Sequence, residues 1–178
     1  SPRQDHVSRL LVDYAAAGTR VVRLKSGDAG IFGRLEEEIC ALRVAGIGYE
    51  VIPGVTSASA AAAAAALPMT RRATARRVQF VTGHDLTGGL PEELNIAALT
   101  DAKAITAVYM GRRTFAALAE RLIAGGLSPD TPALLAEGVS TPQQILSRHT
   151  VAGLARHMPG LRGNAPALIL YGPLIEED

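Results

Sequence analysis

Residues 20–34, RVVRLKSGDAGIFGR, constrain the fold of this chain more than any other segment. A short run of aliphatic residues ends in a loop of small residues with one carboxylate, and a helical pattern of apolar residues follows directly. This order predicts a buried strand at residues 20–24 that leads into a helix, as in the units of a parallel α/β sheet. Ligands of open α/β sheets lie beyond the carboxyl ends of the strands, so the loop is a candidate binding site.

The residue types in this loop suit a ligand. Ser26 and Gly27 let backbone approach a bound molecule closely, and Asp28 can accept hydrogen bonds from hydroxyl or amino groups. The same residues also suit a plain strand-to-helix turn with Asp28 near the start of the helix. The loop alone does not decide between these two interpretations.

The first part of the chain repeats this alternation of helices and strands. Helices are predicted from Pro2 to before Gly18, around Leu35 and Ile39, and after residues 53–58, PGVTSA, with a further strand at residues 49–52. The loop at residues 53–58 should face the same crevice as the first loop, although its hydroxyls also suit helix capping. Because the strand at residues 20–24 has only one candidate neighbour, we expect the chain to be part of a longer protein.

The pattern changes after residues 70–72. Strands are predicted at residues 78–82, 104–110, 132–136, 144–150 and 165–171, with helices at residues 113–124 and 151–157. Strands outnumber helices here, which favours a mixed sheet. We therefore predict two α/β domains: residues 1–72, a remnant of a parallel-sheet domain, and residues 73–178, a mixed-sheet domain.

Further candidates lie at the ends of these later strands. Met110 can pack against an adenine or a thioether, and Gly111 is expected to leave room for it. Residues 137–141 and His84 also follow strands. Several arginines lie near predicted loops, where they suit either a polycarboxylate ligand or a solvated surface: Arg34, Arg71, Arg72, Arg76, Arg77, Arg112 and Arg113.

Composition narrows the function classes. The net charge of +1 gives no case for nucleic acid or an anionic membrane, and the apolar run at residues 58–67 is too short to span a bilayer. The single cysteine, Cys40, fits a reducing compartment and a helical pattern that predicts its burial, so a cytoplasmic location is expected. No spacing typical of a metal site, a phosphate-binding loop or a serine hydrolase occurs.

Taken in order, the loops resemble those of the tetrapyrrole methylase family. The motifs that carry the resemblance are VVRLKSGD (residues 21–28), FGR (32–34), PGVTSA (53–58), VTGH (81–84), YMG (109–111) and PALI (166–169). Each motif is weak, but the collinear set is specific and covers nearly the whole chain.

The resemblance implies a two-domain α/β homodimer that transfers methyl groups from S-adenosylmethionine to uroporphyrinogen III, which gives precorrin-2 for siroheme or cobalamin. It implies a small-molecule tetrapyrrole substrate, without a metal, nucleic acid or membrane. The positions that match the family's cofactor contacts are Ser26, Gly27, Asp28, Ile31, Thr56, Ser57, Met110, Val139 and Ala167.

Some positions depart from the family pattern. SGDA at residues 26–29 stands where Gly-Gly-Asp-Pro is usual, and Arg71-Arg72 replaces a Thr-His-Arg tail. The family's opening strand with its glycine-rich loop, and the acidic residue and lysine proposed for proton transfer, match nothing here. Catalytic residues are therefore expected upstream of Ser1, and the chain alone is expected to be inactive. The alternatives are a methylase of this fold acting on a later corrin precursor or on ribosomal RNA, or a non-catalytic dimerisation or cofactor-binding module.

Overall fold

A computed structural model describes residues 2–162 and 165–174. The chain divides into two compact units, residues 1–56 and residues 57–178, which we call the N-terminal unit and the C-terminal unit. The two predicted domains, residues 1–72 and 73–178, describe how the family fold is divided rather than these compact units, and that division stays a prediction.

The N-terminal unit contains two helices joined by irregular backbone. Helix α1 (Pro2–Ala16) packs against helix α2 (Leu35–Val44). The predicted strands at residues 20–24 and 49–52 are wrong, because these segments belong to no strand ladder. A β-strand exists only when its N–H and C=O groups pair with a neighbour, and within the described residues neither segment has such a partner. Val22 and Leu24 are accordingly 71% and 81% exposed.

The C-terminal unit begins with helix α3 (Ser57–Ala64) and contains a five-stranded sheet. Its strands are β1 (Arg77–Thr82), β2 (Ala104–Tyr109), β3 (Pro132–Glu137), β4 (Ile145–Thr150) and β5 (Ala167–Tyr171), in the spatial order β1-β2-β5-β3-β4. The pair β1–β2 is parallel and the other pairs are antiparallel. The predicted mixed sheet is therefore confirmed.

Helices cover both faces of this sheet. Helix α5 (Phe115–Ala124) and helix α6 (Val151–His157) bury their apolar residues in a core that includes Val108, Leu135 and Ile169. Helix α3 packs against β5, and its Ala58 and Ala61 are fully buried. Two short elements have no counterpart among the predicted ones: helix α4 (Ile96–Leu99) and the 3-10 helix at Met158–Gly160.

Cys40 does not occupy the buried position that was predicted for it. Helix α2 buries only Glu38 among its described residues, and the thiol of Cys40 is exposed. A ten-residue helix that packs along one side leaves its other positions to solvent. The apolar character of a cysteine therefore did not decide which side of α2 it occupies.

Candidate functional site

The loop after residues 20–25 is built from tight turns in the N-terminal unit. Gly27, Phe32 and Arg34 all have positive φ angles, 71°, 50° and 59°. The amide of Ile31 donates to the carbonyl oxygen of Asp28 at 3.3 Å. Non-glycine residues in the left-handed region are uncommon and carry strain, which concentrates at functional sites.

Asp28 joins this loop to the loop at residues 53–54. Its Oδ1 accepts from the amide of Gly30 at 2.7 Å, and its Oδ2 accepts from the amide of Gly54 at 3.2 Å. The two loops touch so closely that a Cβ on Gly54 would lie 2.2 Å from the carbonyl oxygen of Gly27. The N-terminal unit therefore brings together two of the loops that the sequence singled out. Each carboxylate oxygen of Asp28 keeps a further lone pair for a ligand.

A buried carboxylate holds the base of this loop in place. Glu38 is 3% exposed, and its oxygens accept from Lys25 Nζ at 2.8 Å, Arg23 Nε at 3.1 Å and Gln4 Nε2 at 3.2 Å. Lys25 Nζ also donates to the carbonyl oxygen of Gly33. Burial by itself would raise the pKa of Glu38, but the hydrogen bonds from Lys25, Gln4 and Arg23 together lower that pKa below its usual value.

Sequence reasoning did not single out Glu38. An acidic residue in the first turn of a helix is common, since it complements the positive end of the helix dipole. Glu36 and Glu37 share that turn, so nothing in the sequence marks Glu38 as the buried member of the three.

In the C-terminal unit, the remaining candidates meet at one edge of the sheet. Tyr109 pairs with Leu168, and Glu137 pairs with Ala167, so the ends of β2 and β3 flank the beginning of β5. Met110 directly follows β2, and Val139 lies just beyond β3. The register therefore places Met110, Ala167 and Val139 along the same edge.

The backbone at this edge is also strained. Met110 has a φ of 55° and is 48% exposed, while Ser140 has a φ of 66°. Beside them, the amide of Ala58 donates to the hydroxyl of Tyr109 at 3.4 Å, which places the start of α3, with Ser57, against the end of β2. An exposed methionine thioether is polarisable and apolar, which suits contact with an aromatic or thioether group of a ligand.

That Gly111 leaves room for a ligand stays a prediction, but the space that a side chain at this position would occupy is filled by protein. A Cβ at this position would lie 2.8 Å from Val108 Cγ1, and a Cβ on Gly83 would lie 2.8 Å from the Cα of Gly111. The hydroxyl of Thr114 also donates to the carbonyl oxygen of Gly83. Both glycines therefore serve the close packing of the turns that follow β1 and β2.

Most of the arginines contact protein groups. Arg34 pairs with Glu37, Arg77 with Asp101, and Arg112 with Glu137. Arg71 and Arg76 donate to the carbonyl oxygens of Pro173 and Arg72, respectively. These five arginines therefore have partners within the protein. The guanidinium of Arg113 instead lies against the ring of His84, at 3.3 Å.

Over residues 2–162 and 165–174, no group of three or more His, Cys, Asp or Glu side chains could hold a metal ion. Within the same ranges, no helix has the length and apolarity needed to cross a membrane.

Comparison with known proteins gives one consistent family. Residues 2–155 match the family of Tetrapyrrole (Corrin/Porphyrin) Methylases. The chain is 44% identical to siroheme synthase of Chromobacterium violaceum over 97% of its own length and 36% of that protein. It is 34% identical to uroporphyrinogen-III C-methyltransferase of a Sinorhizobium species, covering 98% of this chain and 62% of that enzyme.

Solved structures agree with these sequences. The crystal structure of uroporphyrin-III C-methyl transferase from Thermus thermophilus, complexed with S-adenosyl homocysteine, is 33% identical with a TM-score of 0.79, covering 96% of this chain and 73% of that one. Cobalt precorrin-4 methyltransferase is 29% identical with a TM-score of 0.82, covering 94% and 70%. The chain thus spans about a third of the siroheme synthase and under two thirds of the Sinorhizobium enzyme. With most of its length matched by the family and by these structures, the chain belongs to the tetrapyrrole methylase family.

Proposed function

We propose that this protein transfers methyl groups from S-adenosylmethionine to ring carbons of uroporphyrinogen III, forming precorrin-2. The observation that carries the proposal is the strand pairing that brings the ends of β2 and β3 to the beginning of β5 at Ala167, with Met110 directly after β2 and Val139 just beyond β3. A thermophilic relative with similar structure over 96% of this chain holds S-adenosyl homocysteine. When bound, S-adenosylmethionine would supply its sulfonium methyl group to a nucleophilic pyrrole carbon, with S-adenosylhomocysteine as the leaving group and loss of one proton from the methylated macrocycle.

The residues present suit such a cofactor. In the N-terminal unit, Ser26, Gly27 and Asp28 offer backbone and carboxylate groups to hydroxyls and amines. The amide of Ile31 is hydrogen-bonded to Asp28, and Thr56 lies two residues beyond Gly54, which contacts the same loop. In the C-terminal unit, apolar contact comes from Met110, Val139 and Ala167, and a hydroxyl from Ser57. Their role is to hold and align the donor, since alignment of reactants can lower a barrier by several kcal/mol, up to about 7–11 kcal/mol.

The proposal extends to the assembly and location of the protein. We assign it to the cytoplasm as a homodimer that acts on a small molecule rather than on nucleic acid or at a membrane. The net charge of +1 supports only the part of this proposal that concerns nucleic acid, because nucleic-acid-binding domains are usually strongly basic. Light scattering coupled to gel filtration tests the dimer, and a monomer at micromolar concentration contradicts it.

Calorimetric titration of S-adenosylhomocysteine into the full-length gene product that contains residues 1–178 tests the function. We expect binding, and we expect Asp28→Ala to weaken it by about tenfold or more, as for loss of a hydrogen bond to a charged group. The matched control is Glu36→Ala, an exposed carboxylate on α2. Absence of heat with the wild-type protein contradicts the proposal, and equal affinity of the Asp28→Ala protein contradicts the assignment of Asp28.

A later corrin precursor is the second candidate acceptor. The likeness to cobalt precorrin-4 methyltransferase, with a TM-score of 0.82, favours it. Methylation assays with uroporphyrinogen III and with precorrin-4 as competing acceptors separate the two, since the preferred acceptor has the larger kcat/KM.

A further inference from the structure

Two adjacent arginines follow β2, and the C-terminal unit uses them differently. Arg112 Nη1 donates to Glu137 Oε1 at 2.5 Å, and its terminal nitrogens also donate to the carbonyl oxygens of Ala165 and Arg162. The side chains of Arg112 and Glu137 are only 19% and 12% exposed. The positive charge of Arg112 is therefore neutralised inside the protein.

The positive charge of Arg113, in contrast, is exposed and can interact with a ligand. Arg113 is exposed, and its Nη2 lies 3.3 Å from Nε2 of His84. A guanidinium only donates hydrogen bonds, so Nε2 of His84 is the acceptor. Within residues 2–162 and 165–174, no carboxylate forms an ion pair with Arg113.

The fold fixes Arg113 beside the edge that holds Met110. The turns after β1 and β2 pack directly on each other at Gly83 and Gly111, as described above, and these turns lead to His84 and Arg113. A Cβ on Gly88 would lie 3.3 Å from Nε2 of His84 and 3.6 Å from Nη2 of Arg113, so the next loop also borders the pair. An arginine oriented in this way loses less side-chain entropy on binding a ligand than a freely rotating one does.

We propose that Arg113, oriented by His84, binds a carboxylate of the acceptor substrate. The planar guanidinium matches a carboxylate with paired hydrogen bonds, which a lysine does not reproduce. The inference rests on the proposed function, because uroporphyrinogen III carries carboxylate side chains around its ring. Arg113 is thus a specificity residue for the acceptor, and His84 is a positioning residue that acts through it.

Acceptor and cofactor affinities of the full-length gene product, measured separately, test this inference. For Arg113→Gln we expect the KM for uroporphyrinogen III to rise about five- to tenfold, with the Kd of S-adenosylhomocysteine unchanged. Arg113→Lys should recover only part of the loss, and His84→Phe should raise KM less than Arg113→Gln does. The control is Arg156→Gln, which removes one exposed charge from α6 and should leave KM unchanged.

Fluorescence titration with uroporphyrin III and with its methyl ester gives a second readout that needs no turnover. Wild-type protein should bind the acid more tightly than the ester, and Arg113→Gln should reduce that preference. An unchanged KM and an unchanged preference for the acid overturn the inference while leaving the methyltransferase proposal intact. Absence of methylation and of S-adenosylhomocysteine binding in wild-type protein instead overturns the proposed function.

Discussion

The two compact units differ in whether their extended segments are paired in a β-sheet. In the C-terminal unit, strand β2 pairs with β1 on one side and β5 on the other, and all six of its residues are buried. In the N-terminal unit, residues 20–24 and 49–52 have similar aliphatic composition but no ladder, and they border a cavity of about 1040 Å³. Aliphatic and β-branched residues favour an extended chain, but only a hydrogen-bonded neighbour makes it a strand.

The N-terminal unit relies on polar contacts where the C-terminal unit relies on apolar packing. Glu38 gathers Lys25, Arg23 and Gln4, and Asp28 joins two loops through backbone amides. The core of the C-terminal unit is instead formed by apolar side chains from α5, α6 and the sheet. Substitutions in the two units should therefore differ both in the size of their effect and in its dependence on pH.

The largest effect is expected for Phe115→Ala, since Phe115 is fully buried in the core of the C-terminal unit. Removing such a ring lowers the free energy of unfolding by about 3–5 kcal/mol. The matched change in the other unit is Leu24→Ala at an 81% exposed position, expected to alter that free energy by about 0.5 kcal/mol or less. Urea unfolding followed by circular dichroism measures both changes, and similar losses for the two variants would contradict the difference in packing between the two units.

The second effect concerns the buried carboxylate of the N-terminal unit. Glu38→Gln leaves Lys25 without its charged partner, so we expect α1 and α2 to lose about 1–3 kcal/mol of stability at neutral pH. The half-exposed Arg23 contributes little, because solvent screens its charge. Hydrogen exchange of the α1 and α2 amides measures the loss. Glu36→Gln, on the exposed side of the same turn, is the control.

The lowered pKa of Glu38 sets the direction of the pH dependence. A carboxylate whose pKa is lower in the folded state stabilises the fold above its unfolded pKa, about 4.3, and this stability is lost as the pH falls through the folded value. The acid-induced loss of protection in α1 and α2 should therefore be smaller in the Glu38→Gln protein. Equal acid sensitivity of the wild-type and variant proteins contradicts a role for Glu38 as the counter-ion of Lys25.

The secondary structure of the C-terminal unit could be predicted from the sequence more accurately than that of the N-terminal unit. Apolar periodicity located α5, α6 and all five strands of the C-terminal unit, because each of them packs against neighbours that the chain itself supplies. The same patterns predicted strands at residues 20–24 and 49–52, where no partner among residues 2–162 and 165–174 pairs with them. Short helix α4 escaped prediction because its four residues are too few for a periodic pattern, although Asn95 caps it by accepting from the amide of Ala98.

For the candidate site, strand ends were the informative signal. Met110 follows one run of buried residues and Ala167 begins another, and the register confirms that these two runs are neighbouring strands. Contact of these residues with a cofactor stays a prediction. The burial of Glu38 and the filled space around Gly111 could not be predicted, since both depend on which side of a helix or turn faces another element.

The third prediction concerns the contact between the loop at residues 26–28 and the loop at residues 53–54 of the N-terminal unit. Gly54→Ala introduces a Cβ 2.2 Å from the carbonyl oxygen of Gly27, so the loops must separate and the hydrogen bond to Asp28 must lengthen. We expect a loss of about 1–3 kcal/mol, as for overpacking, together with weaker binding of S-adenosylhomocysteine. Gly48→Ala is the matched control, because a Cβ there meets no atom within 4 Å. Equal calorimetric affinities for the two variants contradict the role of this contact.

The smallest effect is a pH dependence confined to the C-terminal unit. Burial, with a smaller contribution from the charge of His157, lowers the pKa of His149. Its Nε2 is buried and has no hydrogen-bond partner among the residues that the structure describes, and its ring stacks on that of His157 at 5.0 Å. Because the unfolded chain binds the proton more tightly, stability is full above about pH 6.5 and falls below it, by roughly 1 kcal/mol or less. His149→Gln should reduce the change of the thermal unfolding midpoint between about pH 5 and pH 7. His6→Gln, at an exposed position on α1, should leave that pH dependence unchanged. An unchanged slope in the His149→Gln protein would contradict the acid sensitivity that we assign to the C-terminal unit near neutral pH.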